Sequence, residues 1–277
     1  MDEPLRGAPA GLREALAGAE VEQAWREGPR TYLRAGEVFA RFSLAEEDVP
    51  VFEHEARVRG LVGETGALRA PPSLAHGRGW LLERQVVSQD EGVEVVIAAA
   101  AAIAHLELPA PPAKTGAQPA HALRRRLRLL RHPRLAPELA RSSRLLAASR
   151  LPEVTTHGDF HPGNVLRAGG AAWVIDWELN GRGPAGSDLM RYWATIDDPA
   201  DRERLYEGAL ELTGDELELA RLRYAVAAVT VADRLTHAER TAGDLESGKA
   251  LLGRLPQLRA AARLGRGRTA RAAGPPE

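Results

Sequence analysis

His157-Gly158-Asp159-Phe160-His161-Pro162-Gly163-Asn164 is the densest polar cluster of the chain, and a second polar cluster follows it closely. Between the two lie the apolar pair Val165-Leu166 and a turn at Gly169-Gly170, and the second cluster reads Trp173-Val174-Ile175-Asp176-Trp177-Glu178. The pattern predicts two short strands joined by a tight turn, with Asp159, Asn164 and Asp176 at one end of the hairpin. Pro162 and Gly163 are loop formers between the polar residues. Phosphoryl transfer calls for this set: one carboxylate to orient and deprotonate an attacking hydroxyl, and an asparagine with a second carboxylate to hold magnesium on the phosphates. A lone His-Gly-Asp or Asp-Trp is usually only a turn. The two in this order, with Asp159 and Asp176 separated by 17 positions, carry the reading together.

These motifs resemble the aminoglycoside phosphotransferase and choline kinase superfamily, small-molecule relatives of the protein kinases. The superfamily's catalytic loop, H-x-D-x-x-x-x-N, is matched by His157, Asp159 and Asn164, and its I-D-W/F-E/D motif by Ile175-Asp176-Trp177-Glu178. The resemblance implies an α+β, two-lobed protein-kinase-like fold, with a small antiparallel sheet and one helix in the first lobe and a larger helical second lobe. It implies Asp159 as catalytic base, Asn164 and Asp176 as Mg2+ ligands, His157 as a brace for the loop, and ATP or GTP as co-substrate. Asp188, in Gly186-Ser187-Asp188-Leu189, matches a family aspartate that supports the catalytic loop. Glu178 reads either as a further acid near the metal or as a solvated carboxylate. His161 reads either as an exposed loop residue or as a direct participant.

The first part of the chain is where such an enzyme would hold its nucleotide. Val21 to Ser43 reads as three short extended segments broken at Gly28-Pro29 and Ala35-Gly36. Asp48 and Pro50 then start a helix on which Val51, Val58 and Val62 recur at helical spacing. Further extended pieces follow at Ser73 to His76 and Trp80 to Val86. A kinase of this kind needs a cation on its third strand and a helix acid to hold it. No lysine precedes Lys114, so the cation falls to Arg41, and Glu55, on the apolar face of its helix, is its expected partner. Trp80 to Val86, with Glu83 and Gln85, resembles the family's last small-lobe strand and hinge, whose backbone would bind the base. The sequence departs from the family at Arg26-Glu27-Gly28-Pro29-Arg30, which has one glycine and is no Gly-rich phosphate cover, and at Phe39, which is bulky for a position lining the base pocket.

Composition bounds the remaining choices. The chain has 277 residues, 44% of them hydrophobic and 27% charged, which fits a folded enzyme-sized protein. With 37 basic and 38 acidic residues its net charge is -1, so no global field draws nucleic acid or an anionic membrane. There are no cysteines, which removes disulfides, zinc thiolates and cysteine nucleophiles, and fits the reducing cytoplasm. The start of the chain does not read as a signal peptide, and the apolar run Val95 to Ala104 is half of what a membrane span needs. Helices are expected at 91–108, 120–131, 135–149, 199–212, 215–241 and 245–264. The lobes are expected at 1–86 and 87–264, with a disordered tail at 265–277. Arg124, Arg125, Arg126, Arg128, Arg131, Arg134, Arg141, Arg144 and Arg150 crowd the second lobe. They form either a solvated helical face or, if part of them meets the acceptor, a surface hostile to polycationic aminoglycosides. Two other functions compete: a non-catalytic nucleotide-binding protein on the same fold, and a metal-dependent hydrolase using His157, Asp159 and His161.

Overall fold

The computed structural model describes residue 5 and residues 7–63, 66–89, 91–112, 132–236 and 242–264. The helix expected at 120–131, the arginines from Arg124 to Arg131 and the tail at 265–277 lie outside the described residues. The chain divides into two compact units, Met1–Gly116 with Thr155–Gly181, and Ala117–Val154 with Arg182–Glu277.

The first unit is built on an antiparallel sheet of β1 (Gln23–Glu27), β2 (Arg30–Ala35), β3 (Val38–Ser43), β5 (Ser73–Gly77) and β6 (Trp80–Arg84), in the order β1-β2-β3-β6-β5. The two-residue period of a strand gives the sheet two unlike faces. Leu33, Ala35, Ala40, Phe42 and Leu82 form a core with Leu12 and Leu16, and Leu12 lies on α1 (Ala10–Ala15), a helix that sequence periodicity did not reveal. Fully burying leucines such as Leu12 and Leu33 contributes about 2 kcal/mol each. The other face carries Trp25, Tyr32, Phe39 and Arg41. Their rings form a diagonal ladder across three strands, Trp25 stacked on Tyr32 at 5.3 Å and Phe39 tilted 6.1 Å from Tyr32.

Helix α2 (Val49–Val62) starts with Pro50 in its first turn, where a missing N–H leaves no helical bond unmade, and ends at Gly63 with φ 69°. Strands β8 (Val165–Ala168) and β9 (Ala171–Val174) form the expected hairpin, its two turn residues Gly169 and Gly170 both at positive φ, as a tight hairpin turn requires. The two-residue β4 (Leu68–Arg69) adds to β9 in parallel. Helix α3 (Glu94–Ala104) buries Val96, Ala99, Ala100 and Ile103, one helical stripe.

In the second unit, α4 (Leu135–Ala147), α6 (Pro199–Thr213), α7 (Glu216–Thr236) and α8 (Ala242–Leu264) match expected helices, and α5 (Ser187–Thr195) is additional. Asp198 caps α6 by accepting the Asp201 N–H at 2.8 Å, and Gly214 ends it at φ 64°. Glu138 ties three helices by accepting from Tyr224 and by pairing with Arg141 at 3.4 Å and Arg259 at 2.9 Å. Strands β7 (Glu153–Thr156) and β10 (Gly181–Pro184) carry the chain across the unit boundary.

Candidate active site

The loop 157–164 is held from within. His157 is fully buried; its Nε2 donates to the Ile175 carbonyl at 2.9 Å and its Nδ1 accepts the Asp159 N–H at 3.3 Å. These two bonds fix a neutral Nε2–H tautomer, and burial pushes the pKa of His157 down to about 4. Its ring meets Trp177 edge-on at 4.8 Å. The brace expected of His157 is therefore a strap from the loop at 157–164 to the turn that carries Asp176. With both ring nitrogens engaged, His157 has none to offer a metal, which removes the first ligand of the hydrolase alternative. Gly158 has φ 82°, and a Cβ there would collide with the Leu179 carbonyl, so the loop requires glycine.

Asp159 and Asn164 meet directly. Asn164 Nδ2 donates to the Asp159 backbone carbonyl at 3.0 Å and to its Oδ2 at 3.2 Å. His161 accepts the Gly163 N–H at 3.0 Å through Nδ1 and turns Nε2 toward Asp159 Oδ2 at 3.5 Å. Of the two readings of His161, the structure favours contact with Asp159 over a free loop residue.

Asp176 sits just after β9 at φ 62° and ψ 59°, the one left-handed non-glycine among the described residues. Its N–H donates to Glu55 Oε1 at 3.2 Å, and its carboxylate faces Arg41 at 3.4 Å. Burial, with the charge of Glu55, raises its pKa to about 6 against the pull of Arg41. The carboxylate keeps 30% of its surface exposed. Arg41 and Glu55 pair directly, as the helical spacing of Glu55 predicted, and the Arg41 guanidinium lies 5.6 Å from the Phe52 ring centre. Burial opposes the charge on Arg41, but Glu55, Glu83 and Asp176 outweigh it and raise the pKa. Burial also opposes the charge on Glu55, and Arg41 and Arg59 hold its pKa down to about 2.

The sequence reading did not foresee how far this charge chain runs. Arg59, one helical turn past Glu55, donates to it at 2.7 Å and pairs with Glu83 on β6. Asp176, Arg41, Glu55, Arg59 and Glu83 thus alternate in sign from the β9 turn to the last strand of the sheet. Glu83 enters the site through its side chain and this pairing. Gln85 stands apart from the chain of charges, its N–H donating to the Glu37 carbonyl at 2.7 Å.

Arg30 was also missed. It lies 2.7 Å from Glu178 and 3.0 Å from Asp48, so Glu178 is paired with a cation rather than solvated. The i,i+4 spacing of Glu55 and Arg59 was a readable signal for that pair, but no sequence signal joins Arg30 to Glu178. His54 bonds Asn180 across 2.6 Å and pins α2 beside the same turn. Asp188 belongs to the second unit, buried in the first turn of α5.

A cation and acid pair beneath an antiparallel sheet, joined to a loop pair bearing Asp159, Asn164 and Asp176, defines a small-molecule kinase of protein-kinase-like fold. Residues 2–225 match the family described as the phosphotransferase enzyme family, APH, and the chain belongs to it. Solved structures of similar fold include a choline/ethanolamine kinase family protein from Mesorhizobium loti, 16% identical with a TM-score of 0.60, covering 94% of this chain and 97% of the other. Plasmodium vivax ethanolamine kinase is 12% identical with a TM-score of 0.58, over 87% and 84% of the two chains. Aminoglycoside phosphotransferase APH(4)-Ia in ternary complex with ADP and hygromycin B is 16% identical with a TM-score of 0.56, over 94% and 99%. Comparison with curated proteins finds no match.

Proposed function

We propose that the protein transfers the terminal phosphoryl group of ATP or GTP to a hydroxyl of a small molecule, with Asp159 as the base. The observation that supports this reading is the bond from Asn164 Nδ2 to Asp159 Oδ2 at 3.2 Å, which joins within one short loop the two residues read as base and metal ligand. Asp159 accepts the proton of the acceptor hydroxyl, and His161 beside it stabilises the carboxylate until then. Arg41, held by Glu55, would meet the phosphates and neutralise charge developing on the transferred group. Phosphate contact by arginine is bidentate and independent of pH.

The residues fit Mg2+. Asn164 and Asp176 would hold it, oxygen donors of the kind this ion takes from a protein when phosphates and water supply the rest. An ion held by Asn164 and Asp176 would supply positive charge to offset that of the phosphates. Arg30 positions Glu178 next to this centre.

The acceptor we favour is a hydroxyl compound other than a polycationic aminoglycoside, given the arginines Arg134, Arg141, Arg144 and Arg150 around α4. Cytoplasmic residence belongs to the same proposal; among the described residues no helix is long and apolar enough to cross a membrane. A binding protein without catalysis would leave Asp159 and its amide partner without a role.

An ADP- and GDP-release screen against sugars, amino alcohols, anionic metabolites and aminoglycosides tests the proposal. Asp159→Asn is expected to abolish release while nucleotide still binds. Undiminished turnover by that variant refutes the role of Asp159, and efficient turnover of kanamycin-type amines refutes the acceptor class.

A further inference from the structure

Four helices of the second unit bring three arginines onto one indole. Trp193 on α5 is buried, and the guanidinium carbons of Arg202 on α6, Arg223 on α7 and Arg254 on α8 lie 5.3, 5.6 and 5.9 Å from its ring centre. Arg223 also lies over the ring of Tyr206, 4.3 Å from its centre. Arg202 is accounted for locally: its Nε donates to the Trp193 carbonyl at 3.3 Å and it pairs with the exposed Asp197 at 3.6 Å. Arg223 and Arg254 are not. Among the described residues neither has a carboxylate within ion-pair distance, and Glu203 and Glu216 act on Arg223 only from farther away.

Two buried polar atoms in the same cluster, Arg223 Nε and the Tyr206 hydroxyl, have no hydrogen-bond partner among the described residues. Buried donors of this kind are normally satisfied, and an ion is one of the agents that satisfies them. A guanidinium lying against aromatic rings has its faces covered and its in-plane N–H fork left for a bidentate acceptor. Burial also pulls the pKa of Arg223 down, so a negative charge brought to it would be favourable. A cation would be repelled by the arginines, and a neutral ligand would leave the charge of Arg223 and Arg254 uncompensated.

We propose that the cluster of Trp193, Tyr206, Arg223 and Arg254 binds a small oxyanion, a phosphate or carboxylate group gripped chiefly by Arg223 and Arg254. The site is independent of the phosphotransfer reading, since every residue in it belongs to the second unit and its test reads binding rather than turnover.

The test titrates the full-length protein with sodium phosphate and, separately, sodium malonate, each against sodium chloride at matched ionic strength, following Tm and calorimetric heat. At least one oxyanion is expected to raise Tm saturably where chloride does not, and which of the two acts separates phosphate from carboxylate recognition. Arg254 is exposed, so Arg254→Ala should fold normally and weaken the apparent affinity about tenfold. Arg223→Met, if folded, should weaken it at least as much. The proposal is overturned if both oxyanions act no differently from chloride, or if Arg254→Ala saturates at the wild-type concentration.

Discussion

Arg30 holds Glu178 at 2.7 Å within the first unit, reaching it from the first residue of β2, just past the turn between β1 and β2. That turn has a single glycine, so its contribution to the site is a side chain rather than a row of backbone amides. Arg30→Met should leave the acid at the β9 turn unpinned and raise the Mg2+ concentration for half-maximal turnover about tenfold, the scale of one charge-assisted bond. A Mg2+ titration of the variant checks this, and an unchanged midpoint contradicts it.

Arg59 serves two buried acids at once, Glu55 and Glu83. Removing one member of a buried ionic group leaves charge without compensation, typically a loss of about 3–5 kcal/mol. Arg59→Met should therefore lower urea stability by that order, and adding Glu83→Leu should recover part of it. Additive losses in the double variant would show that the two side chains are not coupled.

Acid should act on the fold through three groups of the site. His157 and Glu55 weaken it as pH falls, while Asp176, raised from 3.8 to about 6, takes up its proton first in the folded chain and offsets much of the His157 loss between about pH 6 and 4. The folded pKa of His157 is about 4 against an ordinary 6.5, so below pH 6.5 the unfolded chain takes up a proton that the folded chain refuses. Stability then falls by about 1.4 kcal/mol per pH unit from this group until about pH 4. Glu55, held down to about 2 from 4.5, adds a second loss as pH falls below 4.5. Denaturation curves at several pH values measure the slope. His157→Asn should remove the His157 part of that slope between pH 6.5 and 4, so that the variant loses less stability on acidification than the parent, whatever the change does at neutral pH.

Phe39 ends the ring ladder on the same sheet face as Arg41. If the purine lies against that ladder, Phe39→Ala removes a stacking partner, worth about 1 kcal/mol. The expected result is a nucleotide KM raised about fivefold with kcat little altered. A lowered KM would mean that the ring crowds the base instead of supporting it.

Local pattern revealed a good part of this molecule. The hairpin between 157 and 178, the turn signals that separate β1, β2 and β3, and the helical spacing of Glu55 each need only a few neighbouring residues, and the structure follows all three. What stayed hidden depends on register or on distant partners. The Trp25, Tyr32 and Phe39 ladder exists only because antiparallel pairing sets Trp25 opposite Tyr32 and offsets Phe39 by one strand. Arg59 looks like an ordinary surface cation until β6 brings Glu83 to it. The left-handed backbone at Asp176 is disguised by a residue type that seldom adopts it, whereas Gly158, in the same loop system, advertises its conformation. Helix α1 and strand β4 are too short for a period to show.

Arg41 has one more consequence, and it concerns who would notice this protein. Chemical surveys of cellular kinases often tag an amine beside the bound nucleotide with an acylating probe. A guanidinium stays protonated and is no amine nucleophile. Arg41 is also buried, and the chain's two lysines, Lys114 and Lys249, both fall outside β1–β6. If Arg41 is the cation that meets the nucleotide, an amine-capture inventory of phosphotransferases would find no lysine on the strands β1–β6 to tag.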